Sequence, residues 1–281
     1  MAGFRGRDDP PVTQVGSNRQ FPWYDGFWLE RFVRAQSYIA SHCPDVLPRF
    51  MEAMAPLRTD PEFQTRKLSP VLDDAALAHV RGVIARLKPT QLELHEIKSF
   101  GRWVVHDHPV LTELQVRMTA LAEQVAGEAL EPSYNFLSMY TRMGRCPLHQ
   151  DAPWAKWTLD LCIDQSEPWL IHFSQVRPWP EHELFPETGW EAEVRNNPDN
   201  RFTAHSLMPG EAVLFSGSSQ WHYRDPIPEQ GSKAFCHLLF FHFIPRGMRA
   251  YLDAAEWEAL FAVPGLSEAL GNPAKQRVGE S

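Results

Sequence analysis

The chain has 281 residues, a formal net charge of −8, 43% hydrophobic and 22% charged residues. That composition suits one globular unit and excludes a chain disordered throughout. The acidity is spread along the sequence and repels a phosphate backbone, so no nucleic-acid partner is expected. The cysteines Cys43, Cys146, Cys162 and Cys236 form no CxxC pair, which removes a zinc ribbon. The opening MAGFRGRDDPPV has no apolar stretch of the kind a signal peptide needs, and no later stretch is long and apolar enough to span a bilayer. The expectation is a cytoplasmic protein with reduced thiols and no membrane partner.

Residues 1–22 are rich in Pro, Gly, Arg and Asp and read as a loose arm. The aromatic run Phe21, Trp23, Tyr24, Phe27, Trp28 and Phe32 is expected to dock that arm on the core. Ser69-Pro70 supplies an N-cap and a first-turn proline for a helix whose apolar stripe is Leu77, Val80, Ile84 and Leu87, ended by Pro89. A second helix starts at Pro109, with Leu111, Leu114, Met118, Leu121 and Val125 on its core face. From about residue 133 the texture changes to strand-length runs separated by turns: YNFLSMYT, WTLDLCI, WLIHFSQV, EAVLFS and KAFCHLLFFHFI. Such a series predicts a sandwich or jelly roll. Residues 180–204 read as a polar surface loop, and residues 250–270 as helical again. The predicted organisation is a single domain over 1–281. It comprises an arm and supporting helices (1–132), a mainly β, jelly-roll catalytic core (133–245), and a C-terminal helix and tail (246–281).

The chemistry concentrates in Tyr140-Thr-Arg-Met-Gly-Arg-Cys-Pro-Leu-His149-Gln-Asp151. On an extended backbone His149 and Asp151 point to the same side. A third ligand comes from His222, which follows the turn-and-strand signal Met208-Pro-Gly-Glu-Ala-Val-Leu-Phe215. Two imidazoles and one carboxylate on one face of an Fe(II) ion leave the opposite positions open for a bidentate keto-acid and O2.

The ordered set His-x-Asp, Pro-Gly-Glu-Ala and a distal His resembles the Fe(II)/2-oxoglutarate-dependent dioxygenases, with the prolyl-4-hydroxylase-like and AlkB-like branches nearest. The resemblance covers about residues 133–245. It implies a double-stranded β-helix of cupin-like form, Fe(II), 2-oxoglutarate and O2 as cofactors and co-substrates, and stimulation by ascorbate. It also implies that Tyr140 hydrogen-bonds 2-oxoglutarate and that Lys233, in Gly231-Ser-Lys233, pairs with the far carboxylate, since a buried carboxylate needs a cation. Two features depart from the pattern. Lys233-Ala-Phe235 stands where Arg-x-Ser is common, and the second arginine of the AlkB branch is replaced by apolar residues, against nucleic-acid repair. Asp151 is the residue that halogenating members lack, so the implied reaction is hydroxylation or a related oxidation of a small-molecule, amino-acid-derived or peptide substrate, with desaturation and ring formation as alternatives.

Other residues weigh less. His106-Asp107-His108 reads as a loop feeding a helix, and His95, His172 and His205 as structural. Counting by twos from Lys233 places Phe235, His237, Leu239 and Phe241 on one face of the last strand, so if Lys233 points inward His237 lines the pocket; the alternative is a hydrogen-bonded core histidine. Trp154 and Trp221 are candidates for pocket walls, and Arg142, Arg201 and Arg224 for gripping an anion. Two rival readings stand beside the oxygenase: a cupin-like metalloprotein that does not use 2-oxoglutarate, and a β-barrel binding module without catalysis.

Overall fold

A computed structural model describes residues 20–228 and 233–271. Most of the expected arm, and Gly231-Ser232 of the expected Gly-Ser-Lys turn, lie outside the described residues. The aromatic run does pack inward: Phe21, Trp23, Trp28 and Phe32 are buried. It leads into α1 (Gly26–His42), which packs with α2 (Leu47–Met54) and with the C-terminal helices α7 (Arg249–Leu252), α8 (Trp257–Phe261) and α9 (Leu266–Leu270). Trp28 holds this layer in register by donating its indole N–H to the Leu252 carbonyl at 2.9 Å.

The first predicted helix begins later than Ser69-Pro70 suggested. α3 runs Asp74–Ile84 and is capped by Asp73, whose extended backbone lets its carboxylate accept from Ala76 N at 2.8 Å. The second helix, α5 (Pro109–Ala126), starts at Pro109 as expected and stops at Gly127, whose φ of +76° an L-side chain rarely adopts. α4 (Ile97–Phe100) is a single short turn.

Among the described residues ten strands form two antiparallel sheets. The larger has six strands, in the order β1 (Arg66–Leu68), β8 (Ala212–Ser216), β5 (Trp157–Gln165), β10 (Cys236–Pro245), β3 (Leu130–Tyr140) and β2 (Arg102–His106). The smaller has four, in the order β4 (Cys146–His149), β9 (His222–Arg224), β6 (Ile171–Ser174) and β7 (Phe202–His205). Thus β1 and β2, from the segment expected to give only arm and helices, extend the large sheet at its edges. The stretch 180–204 is not all loop: it holds α6 (Trp190–Asn196) and the start of β7.

Alternation along the strands divides the core. Leu137, Leu159, Leu161, Leu214, Leu239 and Phe241 face α3 and α5 in one apolar cluster. Tyr140, Cys162, Val213, Phe215, Cys236 and Leu238 face the small sheet and meet Ile171 and Phe173 in another. The inward positions of β10 are therefore the even-numbered ones. His237 sits on the opposite face from the one obtained by counting from Lys233, because Lys233 precedes the strand and does not share its pleat.

Candidate metal centre and its cavity

Strand register brings the three predicted ligands together. His149 on β4 and His222 on β9 are direct cross-strand partners, so both rings leave the same face of the small sheet, with centroids 4.1 Å apart. Asp151 lies two residues past His149 in a turn, pinned by its amide to the Gly217 carbonyl at 2.8 Å. Its Oδ1 is 3.4 Å from His149 Nε2 and 3.7 Å from His222 Nε2. One ligand atom from each residue falls within 4.8 Å of the others. An ion with bonds of about 2.1 Å sets neighbouring donors about 3 Å apart, so a small inward adjustment closes the set.

The hydrogen bonds behind the rings settle their tautomers. His149 Nδ1 is 2.8 Å from the Pro147 carbonyl, and His222 Nδ1 is 3.0 Å from the Gln220 carbonyl. A carbonyl only accepts, so each Nδ1 carries a proton and Nε2 is the nitrogen of each ring left to face Asp151 and to bind a metal once any proton on it has gone. The donor set therefore fits a divalent ion. Burial pushes the His222 imidazole down to about 4, helped by the neighbouring His149. Burial acts the same way on His149, but Cys146 and Asp151 outweigh it and hold that imidazole well above its ordinary value. Burial raises the Asp151 carboxyl, yet His222 and His149 overcome it and keep it ionised far below the usual carboxylate range. Without metal the trio is thus one carboxylate sharing a proton chiefly with His149, and a metal ion competes with that proton.

The triad stands at the wall of a cavity enclosing about 770 Å³, part of it open to solvent. Tyr140 lines it, as do two buried arginines. Arg224, two residues past His222 on β9, donates to Asp160 Oδ2 and to the Trp169 carbonyl, both at 2.6 Å. Arg102 on β2 pairs with Glu96 and donates to the Tyr140 hydroxyl at 2.8 Å. Lys233 is exposed and does not line the cavity. Arg142 and Arg201 are exposed too, so of the three arginines singled out in the sequence only Arg224 reaches it.

Several lining residues had no sequence signal. His106 is the last residue of β2, not a loop residue; it faces the cavity and bonds Glu93 at 2.8 Å. His242, rather than His237, is the inward histidine of β10. It contacts Thr158 Oγ1 at 3.0 Å, and that hydroxyl donates to Asp151 Oδ2 at 3.3 Å. Trp154 and Trp221 do not line this cavity. Trp221 is buried against Trp23 at 4.7 Å, and the tryptophans beside Asp151 are Trp23, Trp28 and Trp179, in a smaller cavity of about 240 Å³.

No protein-family model and no curated sequence relative matches the chain. Solved structures do. The carbocyclase SnoK of nogalamycin biosynthesis, a non-haem α-ketoglutarate-dependent enzyme, superposes with a TM-score of 0.50 at 12% identity, over 68% of this chain and 83% of that one. HygX from Streptomyces hygroscopicus, crystallised with nickel and 2-oxoglutarate, gives 0.47 at 11% identity over 71% and 87%. EctD from S. alaskensis, with bound iron, gives 0.45 at 14% over 69% and 76%. At this level of identity the likeness to SnoK is one of fold. The chain thus shares the fold of SnoK. Among the described residues no helix is long and apolar enough to cross a membrane.

Proposed function

We propose that the chain is a non-haem Fe(II)- and 2-oxoglutarate-dependent oxygenase whose metal ligands are His149, Asp151 and His222. The carrying observation is the convergence of two Nε2 atoms and one carboxylate oxygen, with both Nδ1 atoms tied to carbonyls. The strand order supports a jelly-roll, double-stranded β-helix core: β3 to β10 alternate between the sheets, apart from the consecutive pair β6 and β7. Iron so held, with 2-oxoglutarate and O2, supplies oxidation of an unactivated C–H bond, most simply hydroxylation of a small-molecule or amino-acid-derived or peptidyl substrate.

The chain's own residues then have separable tasks. His149 and His222 present neutral Nε2 donors, and Asp151 supplies the negative charge that offsets part of the ion's. Arg224 takes the far carboxylate of 2-oxoglutarate in place of Lys233. Residues two apart on one strand face lie about 6.8 Å apart, which suits a five-carbon diacid reaching from the metal beside His222. Tyr140, whose hydroxyl oxygen accepts from Arg102, borders the same end of the cavity and has its O–H to donate to that carboxylate. Phe215 and Ile171 close the wall against water.

One observation favours the rival metalloprotein that does not use 2-oxoglutarate. Arg224 is already paired with Asp160, and Arg102 with Glu96, so neither arginine is an uncompensated cation. Succinate formation with Fe(II), ascorbate and 2-oxoglutarate separates the readings. The oxygenase makes succinate, His149→Ala and Asp151→Ala do not, Arg224→Leu raises the 2-oxoglutarate requirement, and Lys233→Ala leaves it unchanged. Metal binding without 2-oxoglutarate binding selects the rival; absence of metal binding removes both and leaves a non-catalytic binding module.

A further inference from the structure

The inward face of the large sheet beside the triad carries rings. Register sets His106, Phe136 and Phe240 side by side across β2, β3 and β10. Their centroids are 5.4 and 4.9 Å apart. Next to this row, Tyr134 and His242 stack at 4.1 Å with planes 26° apart. The second row ends against the triad: His242 bonds Thr158, and Thr158 bonds Asp151.

All five rings line the cavity. Their exposure shows which way the faces turn. Outward neighbours on the same strands, Leu137, Leu239 and Phe241, are 0% exposed, whereas Tyr134, Phe136 and Phe240 are only half-buried although they lie within the sheet. Part of the Phe136 and Phe240 surface is thus turned to the cavity. The buried Arg102 guanidinium lies over two neighbouring rings, 5.2 Å from the Phe136 centroid and 4.5 Å from that of Phe100, and helps to keep them in place.

Aromatic faces gain from offset or edge contact with another ring beyond what burial alone supplies. A highly charged group placed directly on these faces would lose its water and gain no partner from Phe136 or Phe240. We propose that the substrate is a flat conjugated ring compound, aromatic or heteroaromatic, which lies on this floor with one edge toward the triad. The reaction at that edge rests on the oxygenase reading; recognition of the ring does not.

The test is calorimetric titration of the metal-free full-length protein with 2-naphthol and with its saturated counterpart decahydro-2-naphthol. The expected result is binding of 2-naphthol at least about fivefold tighter than the saturated alcohol. Phe136→Leu and Phe240→Leu, on neighbouring strands, should each weaken 2-naphthol by roughly fivefold and leave the saturated alcohol within about twofold. Two independent positions guard against one variant failing to fold, which a thermal melt reports. Equal binding of the two alcohols, no binding of either, or indifference to both substitutions overturns the proposal. Co(II) titration of the same preparation keeps the two readings apart. Co(II) binding without ring discrimination sinks the ring-substrate inference alone. Ring discrimination without Co(II) binding sinks the oxygenase reading and leaves this one standing.

Discussion

Gly217 follows β8 directly under the Asp151 carboxylate. A methyl group there would lie 2.2 Å from Asp151 Oδ2 and 2.4 Å from the Ala155 carbonyl oxygen. Contacts below 3.0 Å are essentially never formed, so in Gly217→Ala the carboxylate must retreat by at least 0.8 Å. The loop cannot yield instead without breaking the bonds from Asp151 N to Gly217 O, 2.8 Å, and from Gly217 N to Lys156 O, 3.0 Å. The displaced atom is Oδ2, but the carboxylate moves as a rigid group, so Oδ1, the oxygen facing the two Nε2 atoms, shifts with it by more than the roughly 0.2 Å that a metal site tolerates. Co(II) affinity, followed by its visible absorption, should fall about 10–100-fold, as it does when groups supporting a ligand are changed. Overpacking should lower folding stability by about 1–3 kcal/mol, read from chemical denaturation. A variant that is destabilised yet binds Co(II) like the wild type would refute the assignment of Asp151 as a ligand.

Thr158→Val removes the hydroxyl that bonds Asp151 Oδ2 and contacts His242, and should weaken Co(II) about tenfold with the fold intact; unchanged affinity makes that contact incidental. Asp160→Leu leaves the buried Arg224 guanidinium without its carboxylate and should cost about 3–5 kcal/mol in urea titrations, most of it recovered in the double variant with Arg224→Leu; no recovery means that the loss is one of packing. Burial raises the Glu96 carboxyl, but the Arg102 guanidinium outweighs it and holds the group below its ordinary value. Its ionised form therefore contributes stability above about pH 4.3, and that contribution disappears as the pH falls through the lower folded value. Glu96→Gln should be less stable than wild type at neutral pH, with the gap closing on acidification in melts across that range. A gap that stays constant with pH shows that the pair carries no linkage.

The triad was legible because its spacing is local. His-x-Asp needs only an extended backbone, and the Pro-Gly turn before β8 announces the strand that leads to His222. Strand positions followed from the apolar runs of β3, β5, β8 and β10 for the same reason. The cavity's other polar groups were not legible, because they are defined by pairing between strands far apart in the chain. Arg102 reaches Tyr140 only through the β2–β3 register, and nothing near it separates it from a surface arginine. His242 was missed through parity: a count of two begun at Lys233 starts before β10 and lands on the helix-facing side. The cap of α3 went to Asp73 because capping depends on the backbone angle at one residue, and Ser69-Pro70 matched the composition without the geometry.

The direct pairing of His149 with His222 has a bearing on biogenesis. Side chains alternate across a sheet, so a slip of β9 by a single residue against β4 would turn His222 to the far face and put Tyr223 in its place. A misaligned chain can still be compact and carry the same secondary structure, but it cannot assemble the three ligands. On the proposed oxygenase reading, metal binding would therefore report on strand alignment. Only chains folded in register would then load metal, and added metal should draw slipped chains back toward the native alignment by mass action.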